Sequence, residues 1–499
     1  MCGCAVMLLA ACSAVTDDYG EENTVTEVSK RYINLAIAVT NNTAVTRATP
    51  LGGENGNGRE AGFLRENAIT GITLMLYQDA TGINTTLNPV IDFVAFYPVT
   101  RGDYDNAGTT YTGKGIEAYY TTGNQLVPHN TIDFTKTYRA IVVANADLTS
   151  SVTAGTSHLN DLRTMTLSSI YSGDETKPAA QCGNFVMSSE QDQTLNFTTS
   201  TNSRDAAGDY YYDLTTQALV IERMAARIDF WAVGGTYNAD KSGYVYDVTG
   251  SSSDKFVVKA IMPFNLTNKH TASAPADAYG NEYLLKRLTP SVSSVTTQWL
   301  VSEGPYDTDP TYYYVLDPKT TAKVTAEHPS LVNSLESVKD LSETAFANSS
   351  YRKSITAMHS SIASSGGYAS LTDGALTGED VIVAYPMENT LLPESPLYYN
   401  ATGIAIEGWY YEGGITHDTN PQRYVYYGYL RHQGEETSYD ITTSNNTEAL
   451  SSATMAMNIG IVRNNIYRVW IGSIDSKRNM TLRIVVKQWD QFTHSTIYM

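Results

Sequence analysis

Charge is scarce in this 499-residue chain, and the shortage is mostly of cations: charged residues are 17%, with 33 Lys+Arg against 52 Asp+Glu for a net −19. Such a surface repels nucleic acid and anionic membranes, which sets both aside as partners. Cysteine is nearly absent, with Cys2, Cys4, Cys12 and Cys182 only. If the chain is processed at Cys12, one acylated cysteine and one lone thiol remain. No internal disulfide is then expected, and stability must come from core burial. Catalytic signatures are missing too. The eight His are scattered at 129, 158, 270, 328, 359, 417, 432 and 494, with no His-Glu-x-x-His and no close Cys/His set. There is no Gly-x-Ser-x-Gly, no P-loop and no motif around Cys182. A glycosidase-type carboxylate pair cannot be recognised from spacing alone, and solvated surface acids are the plainer reading. The expectation is a protein without catalysis, metal or cofactor. Long Leu/Glu/Lys helical stretches and long apolar runs are also lacking. The apolar stretch Ala5–Ala11 is too short to span a bilayer as a mature helix.

What the chain has is tyrosine: 36 Tyr against 11 Phe, with plentiful Thr, Ser and Asn. Tyr suits half-buried strands, its ring packed and its hydroxyl wet, so the composition predicts an all-β fold. A chain of this length exceeds one ordinary core and fits two domains. Ile33, Leu35, Ile37 and Val39 alternate with polar or small residues, predicting a half-buried strand. The same period marks Ile72-Leu74-Leu76, Tyr467-Val469-Ile471 and Leu482-Ile484-Val486. Further strands are expected at Val90–Val99, Tyr138–Ala146, Phe185–Met187 and Tyr210–Leu214. Gln217–Val233 is ambiguous, but its β-branched ends favour a strand over a helix. Residues 404–411 and 423–430 read as a hairpin. Residues 329–343, with Leu331, Leu335, Val338 and Leu341 at helical spacing, are the best helix candidate.

Leu9-Ala10-Ala11-Cys12 resembles a bacterial lipobox, which implies that Cys12 is acylated. The basic n-region of a signal peptide is absent from Met1-Cys2-Gly3-Cys4, so the expectation is either a true start upstream or a misassigned Met1. Asp17-Asp18 and Glu21-Glu22 resemble the acidic surface-export signal of Bacteroidota lipoproteins. The polar stretch 13–30 reads as a tether, and 52–60 as a Gly/Asn loop. Trp409-Tyr410-Tyr411 before Glu412-Gly413-Gly414 could stack on sugar rings, but a strand filling a sandwich core is the favoured reading.

Five stretches together resemble the fimbrillin (type V pilin) family of Bacteroidia, which holds major and minor fimbrial subunits. They are Tyr138-Arg139-Ala140-Ile141-Val142-Val143-Ala144-Asn145-Ala146, Phe185-Val186-Met187-Ser188-Ser189, Glu222-Arg223-Met224-Ala225-Ala226-Arg227-Ile228 and Tyr385-Pro386-Met387-Glu388-Asn389. The fifth combines Val462-Arg463-Asn464-Asn465-Ile466-Tyr467 with Val485-Val486-Lys487-Gln488-Trp489. The resemblance implies two β-sandwich domains, transthyretin-like or Greek-key, with few short helices. It divides the chain into a signal remnant (1–11), a lipidated propeptide with a removable first strand (12–47), an N-terminal domain (48–215) and a C-terminal domain (216–499). It also implies a mechanism. An arginine-specific protease cuts between Arg47 and Ala48, within Thr46-Arg47-Ala48, and a donor strand from another subunit fills the vacated groove. A lost strand exposes unpaired N–H and C=O groups, and an incoming strand satisfies them by β-augmentation. Such a joint is head to tail and builds an open filament. Trp489, Phe492, Ile497 and Tyr498 are the expected polymerisation residues. Expected partners are other fimbrial subunits, the protease and a surface receptor, and the expected location is a fimbrium, with the precursor lipid-anchored at the outer membrane. The rival expectation is a surface glycan-binding lipoprotein of a polysaccharide-uptake system.

Overall fold

The computed structural model describes residues 29–39, 59–61, 64–78, 89–101, 119–128, 131–165, most of 167–267, 287–290, 312–315, 331–360, 381–387, 389–390, 401–431, 437–442, 460–461, 463–477 and 479–490. The fold is all-β with a few short helices. The N-terminal half holds two sheets. A four-stranded sheet runs β12 (Thr201–Arg204), β13 (Tyr210–Asp213), β1 (Arg31–Asn34) and β8 (Gln125–Val127). A nine-stranded sheet runs β5 (Phe93–Pro98), β4 (Gly71–Tyr77), β9 (Thr137–Ala144), β10 (Met187–Ser189), β14 (Leu219–Arg223), β2 (Ala36–Val39), β7 (Tyr119–Thr121) and β6 (Thr100–Arg101), with β11 (Gln193–Asn196) beside β9.

The C-terminal half is built on a twelve-stranded sheet. Its order is β16 (Thr236–Asn238), β17 (Gly243–Asp247), β18 (Lys255–Phe264), β26 (Gly403–Tyr411), β27 (Gln422–Tyr429), β28 (Thr437–Thr442), β31 (Asn479–Asp490), β30 (Asn465–Ile474), β15 (Arg227–Trp231) and β24 (Ile382–Ala384). β23 (Lys353–Ser354) joins β18, and β3 (Arg59–Ala61) joins β31. Three small pairs complete the strands: β19 (Leu266–Thr267) with β22 (Leu331–Val332), β20 (Arg287–Pro290) with β21 (Tyr312–Val315), and β25 (Asn389–Thr390) with β29 (Gly460–Ile461). The three large sheets feed one continuous hydrophobic core.

Three sequence expectations are revised. The first two of the alternating strands are buried on both faces, whereas Arg483 between Leu482 and Ile484 stays exposed. Ala36 and Ala38 are as inaccessible as Leu35 and Ile37, and so are Thr73 and Met75. Small side chains let other elements cover the second face, and the Thr73 hydroxyl is satisfied by the Ala146 carbonyl at 2.6 Å. The Gln217–Val233 stretch is two strands, β14 and β15, in different sheets. The change of sheet falls at Met224-Ala225-Ala226, all buried. The helix expected over 329–343 is broken. Asn333 adopts a left-handed conformation (φ 50°) after β22. Ser334 then caps a single turn, Leu335–Val338, and Ser342 caps a second, Glu343–Ala347. Leu335 and Val338 do bury, in a satellite cluster with Met262, Phe264 and Phe346.

Candidate functional site: the first-strand groove and the junction beside it

The first strand lies inside its sheets rather than along their edges. β1 pairs in parallel with β13 (Ile33 opposite Tyr212) and antiparallel with β8 (Ile33 opposite Gln125). Leu35 bends the strand, and Thr122 holds the bend: its hydroxyl accepts from the Leu35 N–H at 3.0 Å and its N–H donates to the Leu35 carbonyl at 3.1 Å. β2 then enters the other sheet, parallel to β14 (Ile37 opposite Leu219) and antiparallel to β7 (Ile37 opposite Tyr120). Ile33, Leu35 and Ile37 are all completely buried. Burial stabilises such side chains by roughly 1.5–3 kcal/mol each. On the outer face Tyr32 stacks on Tyr211, centroids 4.8 Å apart and planes 7° apart. Without β1 and β2, four strand edges would lack their partners: β13 and β8 in one sheet, β14 and β7 in the other.

A second locality is polar and buried. The one-turn helix α1 (Leu64–Asn67) carries Glu66, which is wholly inaccessible. The Glu66 carboxylate accepts from the Trp489 indole N–H at 3.2 Å, from Arg227 at 3.2 Å and from the Tyr385 hydroxyl. Burial first, and the Glu66 charge second, push the Tyr385 phenol well above its ordinary range, so it stays protonated and donates. Asp229 grips Arg227 through two bonds of 2.8 Å. Arg223 donates to the carbonyls of Glu66 (2.9 Å) and Trp489 (2.8 Å), to Asn464 (3.1 Å) and to Asn67. Its guanidinium lies 4.5 Å over the Trp489 ring, which stacks on Tyr385 at 5.7 Å.

The stretches that carry the family resemblance meet here. Asn145 donates to the Phe185 carbonyl at 2.8 Å, and the Met224 N–H to Val186 at 3.0 Å. The Ala226 N–H reaches Pro386 at 3.0 Å, and the Asn464 N–H reaches Ala225 at 2.8 Å. Phe185 packs edge-on to Trp489 at 5.6 Å and to Tyr385 at 4.9 Å. Glu66, the hub, was not found from the sequence, because Leu64-Arg65-Glu66-Asn67 has the look of an exposed turn.

Of the residues singled out from sequence, Trp489 is fully buried at the end of β31. Cys12, Arg47, Ala48, Phe492, Ile497 and Tyr498 lie outside the described residues. β3, which resumes the chain after the Arg47 region, pairs in parallel with the end of β31, Glu60 opposite Trp489. In the Trp409-Tyr410-Tyr411 cluster, Tyr410 and Tyr411 are buried, with the Tyr410 hydroxyl donating to Asp254 at 2.7 Å, and Trp409 is half-buried.

No family model matches the chain, and neither does any curated protein. Among solved structures, a proposed cell adhesion protein from Parabacteroides distasonis is similar over 93% of this chain and 100% of its own, with 12% identity and a TM-score of 0.38. A fimbrilin from Porphyromonas gingivalis is similar over 93% of this chain and 99% of its own, with 12% identity and a TM-score of 0.36. A proposed cell adhesion protein from Bacteroides fragilis covers 94% of this chain and 99% of its own, with 9% identity and a TM-score of 0.27. Scores this low do not establish a shared fold.

Proposed function

We propose that this chain is a non-catalytic structural subunit of a cell-surface fimbria, assembled by protease-triggered strand exchange and supporting adhesion. The observation that carries this reading is the first strand, sandwiched between two partners in each of two sheets yet followed directly by the Arg47 region. Cys12 anchors the precursor to the outer membrane. An arginine-specific protease cuts between Arg47 and Ala48, β1 and β2 depart, and a strand of a neighbouring subunit enters. In this reading two β-sandwich domains meet at Met224-Ala225-Ala226. Trp489, tied to Glu66, Arg223 and Tyr385, acts as the root of the C-terminal tail rather than as a mobile part of it. Phe492, Ile497 and Tyr498, beyond that root, are the donor side chains.

The test is limited arginine-specific proteolysis of the purified precursor, followed by electron microscopy. Cut protein should form filaments whose subunits begin at Ala48, and Arg47→Ala should stay monomeric. Filaments from the uncut Arg47→Ala protein would overturn the maturation site. For the anchor, fatty-acid labelling that is equal in wild type and Cys12→Ala would reject acylation at Cys12.

A further inference from the structure

A patch on the outer face of the twelve-stranded sheet gathers positive charge that the chain as a whole lacks. Glu407, Trp409 and Tyr411 alternate along β26 and share one face. Glu407, 1% exposed, holds two arginines: Arg423 at 2.7 Å and Arg352 at 3.4 Å. Beside them the Lys259 ammonium lies 5.3 Å over the Trp409 ring and Lys241 lies 5.2 Å over Tyr411. Lys255 stands next to them, already paired with Asp247 at 2.6 Å. Two arginines thus bind one buried carboxylate, with Lys259 close enough to feel it and Lys241 beyond Lys259 over Tyr411, and the exposed Glu343 acts on Lys259 from the helix that follows Ser342. Burial first, then the charges of Lys241 and Arg352, hold the Lys259 ammonium below the usual lysine range, against the opposing pull of Glu407 and Glu343. Two guanidinium nitrogens beneath this face, Arg352 Nε and Arg423 Nη2, are buried with no hydrogen-bond partner among the described residues, although both groups bond Glu407 through their other nitrogens. The half-exposed Lys241 and Lys259, crowded by these guanidinium groups, describe a place short of an anion.

We infer that this face binds carboxylates of a second copy of this chain, as a side-to-side contact. Two observations favour that occupant over an acidic saccharide. Trp409 carries an ammonium on its ring and Tyr411 is buried beneath another, so neither offers a free aromatic face to a pyranose. A second copy is strongly acidic, with 52 Asp+Glu against 33 Lys+Arg, so charge complementarity draws its surface to this patch. The contact is independent of strand exchange and is available to the uncut precursor.

The experiment mixes equal amounts of unlabelled and 15N-labelled full-length, uncut chain, treats them with a zero-length carbodiimide and maps the cross-links by mass spectrometry. Mixed-isotope links from Lys241 or Lys259 to Asp or Glu are expected. They should fall at least about fivefold when salt is raised to roughly 0.5 M, where screening shortens the range of surface charge. They should also fall in the folded double variant Lys241→Gln/Lys259→Gln. Lys241→Gln alone, on the more peripheral lysine, repeats the comparison if the double variant fails to fold. Exclusively same-isotope links would overturn the inference. So would Lys259-dependent binding of polygalacturonate with no mixed links. Because the chains are uncut, either failure leaves the strand-exchange reading standing.

Discussion

The first-strand groove and the polar junction are built in opposite ways. The groove is filled by Ile33, Leu35, Ile37 and small alanines of the first strand, and its directional bonds are backbone pairings to β13, β8, β14 and β7. Any strand with apolar residues at i, i+2 and i+4 offers the same backbone groups and similar shapes. The junction depends on particular side chains: Glu66, Arg223, Arg227, Asp229, Tyr385 and Trp489, all buried and mutually bonded. Removing one member of such a network leaves its partners charged or polar with no water. One region rests on backbone pairing that many strands could supply, the other on a particular set of side chains. They adjoin along the chain, since the stretch between β2 and α1 contains the Arg47 region.

The largest effect should come from breaking the side-chain network. Glu66→Ala strands the Trp489 indole and the Tyr385 hydroxyl and leaves Arg227 with Asp229 as its remaining carboxylate, and should destabilise the protein by about 3–5 kcal/mol. Chemical denaturation measures this, and a loss below about 1 kcal/mol would show that the network relaxes. In the groove, Ile37→Ala should cost roughly 2–5 kcal/mol. Its signature is local: faster hydrogen exchange across residues 31–39, with the junction amides little changed. Equal acceleration at the junction would mean that the two regions open together. Tyr385→Phe removes one donor to Glu66 and the acceptor of Arg65 but leaves Glu66 its bonds to Trp489 and Arg227 and keeps the ring on Trp489, so about 1–3 kcal/mol is expected from denaturation. The smallest change is Tyr32→Ala. Its stack on Tyr211 is worth about 0.5–1.5 kcal/mol beyond burial, and the strand should still pair in register by exchange or NMR.

The groove was largely legible in the sequence and the junction was not. Alternation at Ile33, Leu35 and Ile37 marks a strand because strand side chains have period two. Alternation gives no sign that the strand lies in the middle of two sheets, or that Ala36 and Ala38 are covered. That depends on parallel partners Tyr210–Asp213 and Leu219–Ile221, nearly two hundred residues away. The family-like stretches were each visible, but not their convergence on Trp489 through Glu66. A buried glutamate reads like a solvated one until its partners are placed. Helical spacing at 331–341 misled for a local reason: left-handed Asn333 and the caps Ser334 and Ser342 divide the segment.

The most direct test of the account is the fate of the first strand after the cut. A fluorophore on the tether, at Thr24→Cys in a Cys182→Ser background lacking Cys2, Cys4 and Cys12, would report release once the purified precursor is cleaved after Arg47. The account predicts that the cut chain remains folded, that the labelled fragment leaves as filaments grow, and that excess synthetic peptide of residues 29–39 slows both. Filament growth with the labelled fragment still fully bound, indifferent to the peptide, would contradict it.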